Sequence, residues 1–222
     1  QPKSWCIGPL CLVQPPKMEL SPTQKTKWIQ WLDQKLAQGC PVLFVSFGSQ
    51  AHISSTQLQE IAFALEESNI SFLWAVKKIQ PEQMDGFYDR IRERGIIVEE
   101  WVDQQEILEH KIVQGFLSHC GWNSVLEGIC AGVPFLAYPI IAEQFLNAKL
   151  IVEEIKIGMR VSTVDGSTKG FVTKESLKNT VIELMEGVKG REMREKVKGV
   201  AEAARNAAAE GGSSWHALNQ LI

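Results

Sequence analysis

Between Trp101 and Gln144 the chain reads WVDQQEILEHKIVQGFLSHCGWNSVLEGICAGVPFLAYPIIAEQ, and most of its chemistry-bearing side chains fall there. A short apolar run ends at Ser118-His119-Cys120-Gly121-Trp122-Asn123-Ser124, where a strand hands over to a helix. That junction collects an imidazole, a flat aromatic, small hydroxyl and amide donors and free backbone N–H groups. A helix N-terminus offers unpaired donors and the positive end of a dipole, so the junction suits a phosphate-bearing ligand.

The single residues each carry two readings. Trp101, at a strand-to-helix link, serves either as packing or as a stacking platform for a base, a contact worth roughly 1–3 kcal/mol. Ser124-x-x-Glu127 has the spacing of a capping box, in which both side chains satisfy helix-start amides. A carboxylate near a helix start can instead accept two vicinal hydroxyls; Ser124 is compatible with both roles, Glu127 with one at a time. His119 and Cys120 leave a strand on opposite sides, so they cannot form a Cys–His dyad with each other. No further ligands at metal-site spacing accompany them. On composition alone Glu143-Gln144 reads as a negatively charged first turn of a helix followed by an ordinary helix former. Gly48-Ser49 is a generic strand-to-helix turn.

The elements that must hold these residues alternate along the chain. Residues 1–25 contain Pro2, Pro9, Pro15, Pro16 and Pro22 and read as a linker or extended lead-in. Trp28, Ile29, Trp31 and Leu32 give a short amphipathic helix. Strands are expected at Val42–Phe47, Phe72–Val76, Ile96–Glu99, Gly115–Ser118, Phe135–Tyr138 and Gly158–Val161. Between them lie a helix capped by Ser54-x-x-Gln57 and running to about Ser68, and a polar stretch around Pro81–Gly86 with a short helix to Arg94. A helix capped by Asp103-x-x-Glu106, one over Ser124–Ala131 stopped by Gly132, and one over Glu143–Glu154 follow. Strand–helix alternation with short links predicts a doubly wound parallel α/β sheet, with the ligand at the carboxyl ends of the strands. After Val161 come an Asp165-Gly166-Ser167 turn, a helix from Thr173 to Met185, a long Ala-rich charged helix over Arg191–Glu210, a Gly211-Gly212 break and a last helix over Ser213–Ile222. There is no internal repeat.

Bulk properties narrow the class. With 222 residues, 45% hydrophobic and 22% charged, the chain is long enough for one well-packed domain. A net charge of -3 argues against a general nucleic-acid or membrane-surface binder. Five cysteines, with no CxxC pair, predict free thiols and a cytoplasmic location. No apolar run approaches the roughly 20 residues of a membrane span. The start at Gln1-Pro2-Lys3, without Met, reads as an interior cut.

The joint spacing of Trp101, His119-Cys120-Gly121-Trp122-Asn123-Ser124, Glu127, Gly132-Val133-Pro134 and Glu143-Gln144 resembles the donor-sugar signature of plant UDP-dependent glycosyltransferases, and the resemblance extends over almost the whole chain. It implies the C-terminal, Rossmann-like half of a GT-B enzyme. Residues 1–25 would be the interdomain linker, 26–210 the UDP-sugar-binding domain, and 211–222 a C-terminal helix that packs on an N-terminal domain absent here. Trp215, Leu218 and Leu221 would then be exposed, or packed on a neighbouring molecule.

The resemblance also implies roles. Trp101 stacks on uracil, Val102 meets its edge through the backbone, and Gln104 lies beside the nucleoside. Glu127 holds the ribose, Asn123 and Ser124 the α-phosphate and His119 the β-phosphate, with Trp122 and Asn123 flanking the pyrophosphate and sugar. Ser49 belongs to a second phosphate-side loop. Glu143 and Gln144 hold the sugar hydroxyls; Gln at that place goes with glucose and His with galactose, so UDP-glucose is the expected donor, ahead of UDP-xylose. Asp103 stands where Pro is commoner, Tyr138 where Trp is frequent, and Glu143 where Asp is frequent.

In such enzymes the base is a His of the N-terminal half oriented by an Asp, and His52, His110, His119 and His216 do not match that context. No catalytic residue is therefore expected in this chain, which should bind donor without completing transfer. The implied reaction is inverting transfer to a small hydrophobic acceptor such as a phenolic or a terpenoid, with no metal and no cofactor beyond the UDP-sugar co-substrate. No Asp-x-Asp pair is present to hold a divalent ion. Two competing readings are a non-catalytic nucleotide-sugar-binding module and a dinucleotide-dependent oxidoreductase; the missing G-x-G-x-x-G counts against the second.

Overall fold

The computed structural model describes residues 4–13, 25–50, 52–77 and 86–222; Pro2, Pro15, Pro16, Pro22 and all of Pro81–Gly86 except Gly86 lie outside them. Six strands form one parallel sheet in the order β3-β2-β1-β4-β5-β6, with β1 at Val42–Ser46, β2 at Ser71–Ala75, β3 at Gly95–Val98, β4 at Val113–Ser118, β5 at Phe135–Ala137 and β6 at Gly158–Arg160. The near-unbroken apolar strands follow from burial on both faces. In β1, Val42 and Phe44 enter one core layer and Leu43 and Val45 the other.

The first layer packs α2 (Ser55–Glu67), α3 (Phe87–Ile91) and α7 (Lys174–Met185) on the sheet through Ile61, Leu65, Phe87, Leu177 and Val181. On the other face lie α1 (Lys27–Gln38), α4 (Gln104–Leu108), α5 (Trp122–Ala131), α6 (Gln144–Lys149) and α8 (Val188–Ala208), with Trp28, Ile107, Val125, Ala148 and Val197 inward. Phe44, Phe116 and Phe135 line up on that face, with ring centroids 5.1 and 5.8 Å apart.

Three helix starts agree with the sequence reading: Ser54, Asp103 and Thr173 each accept a hydrogen bond from the N–H three residues on. Two do not. Helix α5 begins at Trp122 with Gly121 as N-cap, so Ser124 already lies inside the first turn and is no cap. Helix α8 begins at Val188, not Arg191, because Gly187 is its N-cap and the Glu183 side chain accepts from Lys189 N–H. The expected Glu143–Glu154 helix is α6 plus a widened π turn over Leu150–Glu154.

Residues 4–13 are held onto the domain. Leu10–Val13 forms a 3-10 turn against α5 and α8, Gln105 Nε2 donates to Cys11 O at 3.2 Å, and Ser214 Oγ at the start of α9 (Ser213–Leu221) donates to Gly8 O. On α9, Trp215 and Leu221 are exposed and Leu218 half-buried. Among the described residues no helix is long and apolar enough to cross a membrane.

Candidate functional site

The sheet order reverses between β1 and β4, where successive crossovers pass to opposite sides and leave a crevice at the carboxyl ends. Ser46 and Ser118 end those strands side by side in register. From Ser46 the chain enters the turn at Gly48 and Ser49; from Ser118 it passes through His119 and Cys120 into α5.

His119 is the hinge of this crevice. A Cβ on Gly48 would lie 2.6 Å from its Nε2, and one on Gly121 would lie 2.5 Å away. Only glycines let the two loops close around the ring, and Gly48 also has the positive φ of 70° that glycine tolerates. Burial holds the imidazole below its ordinary pKa, against the opposing pull of the Ser46 backbone and Glu143. Nδ1 is buried with no partner in hydrogen-bonding geometry among the described residues. Cys120 is buried in a left-handed conformation, its carbonyl braced by Asn147 Nδ2 at 3.0 Å. Burial pushes its thiol up to about 12, so it stays protonated at neutral pH.

Beside His119, α5 presents its N-terminus without a side-chain cap. The first intrahelical bond runs from Val125 N–H to Gly121 O at 3.0 Å, so the N–H groups of Trp122, Asn123 and Ser124 precede the helix ladder. One turn further on, Gln104 Nε2 bridges Ser124 Oγ (2.8 Å) and Glu127 Oε2 (2.5 Å). Neither reading drawn from spacing alone anticipates this bridge, which reaches Ser124 and Glu127 from α4. Desolvation is the main cause that raises the Glu127 pKa; the Gln104 bond opposes it and Asp103 adds to it.

A groove of about 830 Å³ runs over these groups, lined by Gly48, Ser49, Lys77, Trp101, Val102, Gln104, Asn123, Ser124 and Glu127 among others. Trp101 is 85% exposed on its wall, an open aromatic face rather than core packing. The groove thus places an aromatic platform, a carboxylate and helix-start amides in sequence, matching base, hydroxyl-bearing sugar and phosphate. Lys77, just past β2, adds a cation that the motif spacing does not single out, although a lysine at the carboxyl end of an apolar strand is a visible signal.

The remaining candidates sit at the edge. Trp122 lines a second cavity of about 810 Å³ together with residues 5–11, Asn123, Leu126 and Glu127. Glu143 is exposed at the N-cap of α6 and close enough to His119 to act on its charge. Gln144 is buried, and its Oε1 accepts from Ile140 and Ile141 N–H at 3.0 and 2.9 Å. Its oxygen is committed to the loop, which leaves the amide N–H₂ as the group that can donate to a ligand. Glu143 as acceptor and Gln144 as donor make a complementary pair for sugar hydroxyls.

A doubly wound sheet with a crevice at its carboxyl ends defines a Rossmann-like α/β domain. Residues 28–196 match the family described as UDP-glucoronosyl and UDP-glucosyl transferase, and the chain belongs to it. It is 57% identical to UDP-glycosyltransferase 90A1 of Arabidopsis thaliana over 100% of its own length and 46% of that protein. A Polygonum tinctorium UDP-glucosyltransferase solved with 3,4-dichloroaniline superposes with a TM-score of 0.86 at 34% identity, over 100% of this chain and 48% of that one. Phytolacca americana UGT2, solved with UDP-2fluoro-glucose and pterostilbene, gives 0.79 at 38% identity over 89% and 44%. The fold is the Rossmann-like domain of GT-B glycosyltransferases, and the chain spans about half the length of the relatives it matches.

Proposed function

We propose that this chain is the donor-binding half of an inverting glycosyltransferase that uses UDP-glucose and needs no metal. The observation that carries the reading is the Gln104 bridge to Ser124 and Glu127 beneath an exposed Trp101, opening onto the uncapped start of α5. Uracil stacks on Trp101 beside Val102, the Glu127 carboxylate accepts from the ribose hydroxyls, and the diphosphate lies against the α5 amides, Ser49 and His119. Glu143 and Gln144 take the glucose hydroxyls. The relatives solved with UDP-2fluoro-glucose and with small aromatic molecules support a nucleotide-sugar donor and a small hydrophobic acceptor.

In the reaction, an acceptor hydroxyl oxygen bonds to the anomeric carbon while the bond from that carbon to the diphosphate oxygen breaks. The leaving UDP keeps the electron pair. The α5 amides, His119 and Lys77 stabilise that charge, a role for which preorganised donors suffice. The acceptor's proton goes to a base outside this chain. The chain alone therefore binds donor and transfers nothing. Residues 26–210 are the binding domain, 1–25 the linker, and 211–222 the helix that meets the N-terminal domain. Five free cysteines support a cytoplasmic location.

Calorimetric titration with UDP, UDP-glucose, UDP-galactose and NADH tests the reading. UDP and UDP-glucose should bind, UDP-galactose more weakly, and NADH not at all. Glucoside formation by the chain alone would overturn the division of labour, and NADH binding in place of UDP would overturn the donor assignment.

A further inference from the structure

The five cysteines are all free, yet two of them meet. Cys11 Sγ, in the 3-10 turn of Leu10–Val13, lies 3.6 Å from Cys130 Sγ near the end of α5, across 119 positions of sequence. That is contact between sulfurs, and closing it to a bond of about 2.05 Å requires an approach of roughly 1.5 Å. We propose that Cys11 and Cys130 form an oxidative modification site, a disulfide that staples residues 4–13 onto the helix carrying the donor-binding groups.

Four observations shape the site. Cys11 is half-buried and reachable, whereas Cys130 is buried behind it, so an oxidant meets Cys11 first. The turn is already positioned, since Gln105 Nε2 holds the Cys11 carbonyl and Ser214 Oγ holds that of Gly8. The other end is equally anchored, with Arg205 donating to Cys130 O at 3.3 Å. Glu127, three residues before Cys130 on α5, is close enough to act on the charge of Cys11, so the staple would sit directly behind the donor groove.

The oxidant is a hydroperoxide. The Cys11 sulfur attacks one peroxide oxygen, the O–O bond breaks, and Cys11 becomes a sulfenic acid as its proton leaves in water or alcohol. The Cys130 sulfur then attacks the Cys11 sulfur. The S–S bond forms, the S–O bond breaks, and hydroxide departs with the Cys130 proton as water. Burial keeps both thiols protonated at neutral pH, most strongly Cys130, pushed up to about 12. The pair therefore resists adventitious alkylation and oxidises slowly, and faster as the pH is raised.

The test treats the 222-residue chain with hydrogen peroxide, blocks remaining thiols, and maps a non-reduced digest by mass spectrometry. A peptide pair joining Cys11 to Cys130, lighter by two hydrogens and released by dithiothreitol, is expected. Cys11→Ser and Cys130→Ser should abolish it and Cys6→Ser should not. The oxidised chain should melt roughly 5 °C or more higher, because the cross-link closes a long loop in the unfolded state. Links through Cys6 or Cys40, dimers joined between chains, or sulfinic acid at Cys11 with no cross-link would each overturn the assignment. The wild-type map is decisive even if Cys130→Ser fails to fold, and none of these outcomes depends on donor binding.

Discussion

Two grooves of similar size sit at opposite ends of the sheet and differ in how their polar groups are used. The one at the amino ends of β4 and β5, about 700 Å³, is lined by Lys111, Arg191, Arg194, Lys198 and Arg205 and looks like the better anion site by charge. Its arginines, however, are committed to helix ends. Arg191 donates to Glu186 O, Arg194 to Leu184 O and Met185 O, and Arg205 to Cys130 O, which caps the C-termini of α7 and α5. Lys198 pairs with Glu195 at 2.7 Å. The groove over β1 and β4 is net acidic, with Lys77 against Glu99, Glu100, Asp103 and Glu127, but its helix-start amides and the Trp101 face have no protein partner among the described residues. A binding site is marked by hydrogen-bonding capacity left open, and formal charge is a poorer guide.

The sharpest way to break this contrast is to remove the aromatic platform. Trp101→Ala should weaken UDP and UDP-glucose binding roughly 5- to 150-fold, the range of a lost base stack. Melting should be unchanged, since the ring is exposed. Calorimetry and a thermal melt on the same sample read both. Unaltered affinity would remove Trp101 from the site. The opposite groove should answer in the opposite sense. Arg194→Ala leaves the Leu184 and Met185 carbonyls without their donor and should lower the melting temperature by roughly 3–10 °C. UDP affinity should stay within about twofold; a large loss there would mean that the basic groove takes part in binding.

A smaller effect separates function from stability within one residue. The Glu127 pKa is raised in the folded chain, chiefly by desolvation, so the folded state takes up a proton more readily than the unfolded one. Stability then falls as pH rises from the ordinary carboxylate value through the raised one, and that cost persists at pH 7. Glu127→Gln removes it and should melt higher at pH 7, while binding UDP roughly tenfold more weakly through the lost ribose contacts. Lower melting together with full affinity would reverse both halves of the argument.

Much of the framework behind this contrast is legible in the amino-acid sequence. The strands announce themselves as short apolar runs because both sheet faces are covered, and Ser54, Asp103 and Thr173 mark helix starts by purely local bonds. What sequence cannot show is tertiary. Ser124 and Glu127 have capping-box spacing, yet α5 starts two residues earlier because Gly121 must lie against His119, and the pair is claimed instead by Gln104 from 20 residues upstream. The commitment of Gln144 Oε1 to Ile140 and Ile141 is likewise a matter of how one loop folds back. The proline-rich start suggests a free lead-in, but Gly8 and Cys11 are tied down by partners far along the chain. Local propensity reveals elements; it does not reveal which groups are already taken.

The least of the expected effects asks whether His119 is itself uncommitted. Its ring is held below the ordinary histidine pKa by burial, so in the free chain it is neutral at pH 7. A diphosphate beside Nε2 favours the imidazolium and raises that pKa in the complex. Binding must then take up protons, and affinity must strengthen as pH falls from above the complexed value toward the free one. UDP-glucose is the suitable probe, because its doubly esterified diphosphate keeps the same charge from about pH 5.5 to 8.5, whereas the terminal phosphate of UDP titrates near pH 6. From pH 8 to pH 6 the dissociation constant should fall by roughly threefold, well under the tenfold per pH unit that one proton allows. Calorimetry in buffers of different ionisation enthalpy counts the protons directly, and His119→Ala should flatten the profile. Glu143 also acts on the ring, so Glu143→Gln, which removes a charge that favours the imidazolium, should shift the profile to lower pH without abolishing it. A wild-type affinity flat across this range, or a slope surviving in His119→Ala, would mean that Nε2 meets the two glycines for packing and not for phosphate.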